Sequence, residues 1–260
     1  MSTECELWLF ASKPKADECA KAILKEVKRI EKRYNYYDPA SLLSRINARQ
    51  IADLDPETKY LLQRAREFYD KTEGLFDITV ATIKECYRHK SLDELRNCLR
   101  RLTPYVGCEH LSIKKNRIFF DNPFTKIDLG GFAKEYAVDR ALLEVKKRKI
   151  KSALINFGGD LYLHGKKPDG SPYRIGIKDP KNPSRFIRYL DLYDCAVATS
   201  AHYERGYEIG KERFSHILKG DITLSSATVI APKCLEAGVW ATALTLHPCI
   251  DAPYRRVLIY

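Results

Sequence analysis

The chain has 260 residues, with 45 Lys and Arg against 34 Asp and Glu, a formal net charge of +11, and 45% apolar residues. That length can bury a substantial core; with no run of 18 apolar residues and no basic-then-apolar leader, the sequence predicts neither a membrane span nor a secretory signal, and hence a cytoplasmic protein. No linker-like stretch divides it, so residues 1–260 read as one domain.

The excess charge favours an anionic partner. Its densest runs, 21–34 and 144–152, are interspersed with acids on helical stretches, which suits either a solvated helix face or a partner surface. No nucleic-acid motif accompanies them. Eight cysteines, at 5, 19, 86, 98, 108, 195, 234 and 249, form no C-x-x-C and no zinc-like spacing with the six histidines. Scattered thiols of this kind fit a reducing compartment.

Ala20, Ile23, Leu24, Val27 and Ile30 recur at helical spacing, predicting an amphipathic helix over 17–34 with Asp17 as its cap. After the Asp38-Pro39 turn, SLLSRIN restarts a short helix capped by Ser41, and 56–71 reads as a helix with Pro56 in its first turn, ending near Gly74. An interrupted apolar stretch, LFDITVATIKECYRH, leads to a helix over 91–102. HLSIKK and RIFFD around Asn116 form a hairpin. The pattern continues as strand 125–129, helix 132–148, strands 152–157, 160–164, 172–177, 186–191, 195–199, 213–218 and 222–231, helix 233–245 and strand 255–260. Helices mixed with short, mostly antiparallel strands predict an α+β fold of antiparallel sheets packed with helices.

Candidate chemistry gathers in a few places. Asp128, Gly130, Gly131 and Lys134 lie where a strand passes into a helix, a junction whose N–H groups and lysine can meet a diphosphate; a tight turn with a solvent lysine fits the same residues. Neither the Rossmann nor the Walker fingerprint is present. Asn156, Gly158, Gly159 and Asp160 end a buried strand, either at a turn or beside that junction. His216 alternates with apolar neighbours and faces either a cleft or a structural partner. Thr242 sits among small residues that permit close helix packing.

Seven segments, YYDPASLLSRIN, GLFDITV, KIDLGGFAKEYAVD, INFGGDLYLHGKKPDGSPYRIGI, AVATSAHY, RFSHIL and TVIAPKCLEAGVWATAL, resemble in order the motifs of the FAD:protein FMN transferase (ApbE) family. The resemblance covers about residues 34–245. It implies an ApbE-like (T-fold-like) domain that binds FAD, uses Mg²⁺ at its pyrophosphate and moves FMN onto a Thr or Ser hydroxyl of an acceptor flavoprotein, releasing AMP. It further implies nucleotide contacts from Tyr37, Leu75, Phe76, Asp77, Asp128, Lys134 and Leu218, metal ligands at the Gly131 carbonyl and Thr242, and catalytic roles for His216 and Asp128.

Departures cluster in the same motifs. Gly238 stands where the family has its metal-binding aspartate, and Glu236, two positions away on another helix face, does not replace it. The usual A-K-G reads Ala133, Lys134, Glu135; S-G-D-Y reads Ser200, Ala201, His202, Tyr203; and the loop after His216 is shortened around Lys219. A non-catalytic flavin-binding protein and an FAD hydrolase are therefore the alternatives to a transferase.

Overall fold

The computed structural model describes residues 4–89, 91–201, 206–209, 212–215 and 224–260. In chain order its strands are β1 (Cys5–Leu9), β2 (Leu111–Lys114), β3 (Arg117–Phe120), β4 (Ala153–Phe157), β5 (Asp160–His164), β6 (Tyr173–Asp179), β7 (Asn182–Leu192), β8 (Cys195–Ala201), β9 (Gly206–Ile209), β10 (Glu212–Ser215), β11 (Ser226–Ala231) and β12 (Arg255–Ile259). Its helices are α1 (Lys13–Tyr34), α2 (Leu42–Asn47), α3 (Pro56–Lys71), α4 (Ala81–Lys84), α5 (Leu92–Leu102), α6 (Ala133–Lys147) and α7 (Cys234–Leu246). All strand pairings among the described residues are antiparallel, as an α+β fold requires. The chain forms two compact units, one from residues 1–32, 131–201 and 223–260, the other from 33–130 and 202–222.

The first unit is built on a six-stranded sheet in the order β1-β4-β5-β8-β11-β12, with β6 and β7 as a separate ribbon. Leu154, Leu161, Leu163 and Val197 of the sheet pack with Tyr173, Ile177, Leu190 and Leu192 of the ribbon. Gly158 and Gly159, at φ +62° and +93°, make the two-residue turn from β4 to β5, which pairs Phe157 with Asp160. Both central positions need positive φ, so glycine is the residue that fits. The glycine pair makes the expected turn, and Asp160 after it also stands beside the helix-entry junction, 2.5 Å from Lys134 Nζ. Helix α7 is buried nearly all round and packs on β8 and β11, and α6 packs on α7 and β4.

Strand β1, which the sequence reading did not include, joins the sheet at its edge. Two expectations need correction here. Helix α1 begins at Lys13, so Asp17 is an interior residue paired with Lys13 at 2.9 Å rather than a cap. Leu24 of that helix is exposed, while Cys19, Ile23, Val27, Ile30 and Tyr34 form the buried stripe.

In the second unit Ser41 caps α2, Asp55 caps α3 and Ser91 caps α5, each through its side-chain oxygen. The interrupted apolar stretch forms three successive helical segments over residues 78–88. Cys86 and Cys98 are joined as a disulfide, with Cα atoms 5.5 Å apart, in a small cluster with Ile83 and Leu95. Their thiols therefore lend no support to a reducing compartment. No described helix is long and apolar enough to cross a membrane.

Candidate functional site

Residues 125–129, expected as a strand, belong to no sheet. The segment is extended, and side chains satisfy its backbone groups. The Asn47 amide accepts from the Ile127 N–H and donates to the Ile127 carbonyl, both at 2.8 Å. The Lys126 N–H donates to Thr82 Oγ1 at 3.0 Å, and the Asp128 N–H to the Ile78 carbonyl at 2.9 Å. Buried peptide groups must be paired, and here the last residue of α2 and the middle of α4 supply the partners.

That scaffold presents Asp128 to Lys84, whose Nζ lies 2.5 Å from Asp128 Oδ2. Burial alone would lower the Lys84 pKa; the Asp128 carboxylate outweighs it and the net shift is upward. The ammonium also lies 4.7 Å and 4.6 Å from the ring centroids of Tyr36 and Tyr37, within cation–π reach. The Tyr36 hydroxyl donates to Glu85 at 3.3 Å, and Arg88 pairs with Glu85 at 2.9 Å. Tyr37 itself is 62% exposed, and Arg88 also lies 5.7 Å from its ring centroid.

In the first unit, the opening turn of α6 carries Lys134 and Glu135. Lys134 Nζ lies 2.5 Å from Asp160 Oδ2 at the start of β5. Burial would lower the lysine's pKa, but Asp160 and then Glu135 raise it. Glu135 is only 6% exposed, and burial followed by the nearby Asp160 carboxylate pushes its pKa up. Its Oε2 is buried without a hydrogen-bond partner. The side chain lies against Gly238 of α7: a Cβ built there would stand 2.6 Å from Glu135 Cγ and 3.1 Å from its Oε1. Thr242, one turn further along α7, is half-buried and donates its hydroxyl proton to the Gly238 carbonyl at 3.1 Å. Asp139 of α6 accepts from the Cys234 and Leu235 N–H groups at 2.8 and 3.1 Å, capping a helix whose own N-cap residue, Lys233, makes no side-chain cap.

The residues expected from sequence fall into distinct situations. Asp128 and Tyr37 share one locality through Lys84. Leu75 is half-buried, and Phe76 and Asp77 are buried. Asp77 caps the turn after it, accepting from the Thr79 N–H at 2.8 Å and the Thr79 hydroxyl at 2.6 Å. Gly131 is exposed at the entry to α6, and Lys134 is occupied by Asp160 rather than free in solvent. His216 and Leu218, with His202, Tyr203 and Lys219, lie outside the described residues. Sequence reasoning missed Asn47, the last residue of the YYDPASLLSRIN motif, and Thr82 and Lys84, which lie just beyond GLFDITV in a stretch read only as interrupted apolar. Among the described residues, no three His, Cys, Asp or Glu side chains are grouped as metal ligands.

The described residues thus form an antiparallel α+β frame that carries two buried acid–lysine pairs, Lys84–Asp128 and Lys134–Asp160. Residues 1–253 match the ApbE family, and the chain belongs to it. It is 29% identical to the FAD:protein FMN transferase of Vibrio cholerae, over 80% of this chain and 67% of that protein. It is likewise 29% identical to the protein of that name from Chlamydia pneumoniae, over 83% and 72%. The crystal structure of the ApbE protein from Thermotoga maritima superposes with a TM-score of 0.88 at 27% identity, covering 98% of this chain and 90% of that one.

Proposed function

We propose that this chain is a flavin transferase, acting as one ApbE-like domain, that moves FMN from FAD onto a Thr or Ser hydroxyl of an acceptor flavoprotein. The observation that carries this reading is the family match over residues 1–253, within which both acid–lysine pairs lie. In the reaction the acceptor oxygen forms a bond to the FMN phosphorus, the bridging P–O bond breaks, AMP leaves with the electron pair, and the hydroxyl proton passes to a base. We assign His216 and Asp128 as catalytic groups, with Asp128 placed 2.5 Å from Lys84 Nζ. Tyr37, Leu75, Asp128, Lys134 and Leu218 are assigned to the nucleotide. Phe76 and Asp77, being buried, are assigned to shaping its surroundings.

Mg²⁺ fits the residues present. It needs only one or two protein carboxylates, because waters and substrate phosphates complete its octahedron. A buried carboxylate oxygen without a donor, a threonine hydroxyl and the exposed Gly131 carbonyl are hard oxygen donors of the right kind. When bound, the ion neutralises charge on the pyrophosphate oxygens. The protein's own part is to fix those oxygens and keep Lys134 charged beside them.

The test is incubation of pure protein with FAD, Mg²⁺ and an acceptor domain, read by intact mass and AMP release. A covalent FMN adduct with stoichiometric AMP is expected. AMP and free FMN without adduct would make the chain a hydrolase, and FAD binding without either product a flavin-binding protein.

A further inference from the structure

The two departures nearest the expected metal position, an acid at 135 and a glycine at 238, are contact partners. The Glu135 side chain occupies the place where a side chain at 238 would begin, with Cγ 2.6 Å and Oε1 3.1 Å from the position a Cβ would take. We propose that Glu135 supplies from α6 the carboxylate that binds the divalent cation, replacing a ligand that residue 238 of α7 cannot provide, with the Thr242 hydroxyl as neighbouring ligand.

This rests on the transferase reading for the identity of the site, but its argument is local. Glu135 Oε2 is buried and has no hydrogen-bond partner. A carboxylate oxygen in that state is costly unless a cation or a proton meets it. Lys134 is engaged 2.5 Å from Asp160, so its ammonium is directed at that carboxylate rather than at Glu135 Oε2. Thr242 spends its proton on the Gly238 carbonyl, which leaves the oxygen lone pairs for a hard cation on that helix face. Had Gly238 served only to let α6 approach α7, an apolar side chain at 135 would fill the space without burying a charge. The carboxylate reaches the space beside Gly238 from α6 instead of from α7.

The experiment titrates Mn²⁺, a paramagnetic substitute for Mg²⁺, into the full chain alone and with FAD, reading free Mn²⁺ by electron paramagnetic resonance. Glu135→Gln keeps the volume and removes the charge; its melting curve serves as the fold control. We expect it to weaken Mn²⁺ binding by about tenfold or more, at least the loss typical of residues behind metal ligands. The double variant Glu135→Gly with Gly238→Asp, which returns the acid to α7, is expected to restore binding. Unchanged Mn²⁺ affinity in a folded Glu135→Gln protein overturns the inference, as does a wild type that binds no Mn²⁺ in either condition. Metal-free flavin fluorescence separates the two readings: no FAD binding removes the transferase, while the titration with Mn²⁺ alone still decides Glu135.

Discussion

The two units each bury a lysine against an aspartate at the same 2.5 Å, yet the surroundings differ in charge. Around Lys84 the charges balance: Asp128 takes the lysine, Arg88 takes Glu85, and two tyrosine rings flank the ammonium. Around Lys134 a second acid, Glu135, is packed in beside Asp160. A balanced pair is complete as it stands and offers a fixed charge to a ligand. An unbalanced, buried one is complete only with something positive added. On the proposals made above, the same pair of residue types would serve recognition in one unit and cation binding in the other.

Replacing each lysine breaks or sharpens that contrast. Lys134→Met would leave Glu135 and Asp160 buried without their ammonium, and should cost about 3–5 kcal/mol in urea unfolding. An equal loss from Lys84→Met would erase the distinction. The latter is expected to cost about 1–2 kcal/mol, because Asp128 is left with less desolvation to repay, while FAD affinity falls measurably by fluorescence titration.

Between these lies the scaffold of the second unit. Reducing Cys86–Cys98 removes a cross-link over 12 residues and should lower stability by about 3 kcal/mol on the chain-entropy account, seen as a shift in thermal unfolding with and without dithiothreitol. Thiol alkylation of the native protein, counted by mass, checks that the link is present. Asn47→Ala should cost about 2 kcal/mol by leaving the Ile127 peptide groups unpaired, and should weaken FAD binding by displacing Asp128.

The smallest effect concerns Asp139, whose pKa burial raises from 3.8 to about 6 against the two N–H groups it caps. The folded state then holds the proton more tightly than the unfolded one between those values. The group's contribution to stability therefore declines as pH rises from about 4 to about 6 and is level on either side. Asp139→Asn should flatten that slope in denaturant titrations across pH. A slope unchanged in the variant would place the titration elsewhere.

Much of the frame was legible from local signals. Ser41, Pro56 and the Gly158-Gly159 pair act through their immediate neighbours, so their helices and hairpin could be read directly. The segment 125–129 was misread because its apolar alternation matched a strand, while its actual partners, Asn47 and Thr82, lie some 80 and 44 residues away in sequence. Glu135 looked like a loss of a small residue and Gly238 like a loss of a ligand. Only their contact links the two departures.

By itself the sequence determined the α+β class, the order of nearly all elements and the family resemblance, because caps, turn glycines and hydrophobic periods are short-range properties of the chain. The tertiary structure decided which acid meets which lysine, that Cys86 finds Cys98, and that the Glu135 side chain fills the room left by Gly238. Those outcomes depend on how helices and strands distant in sequence pack, and no local pattern encodes the direction in which a buried side chain will find its partner.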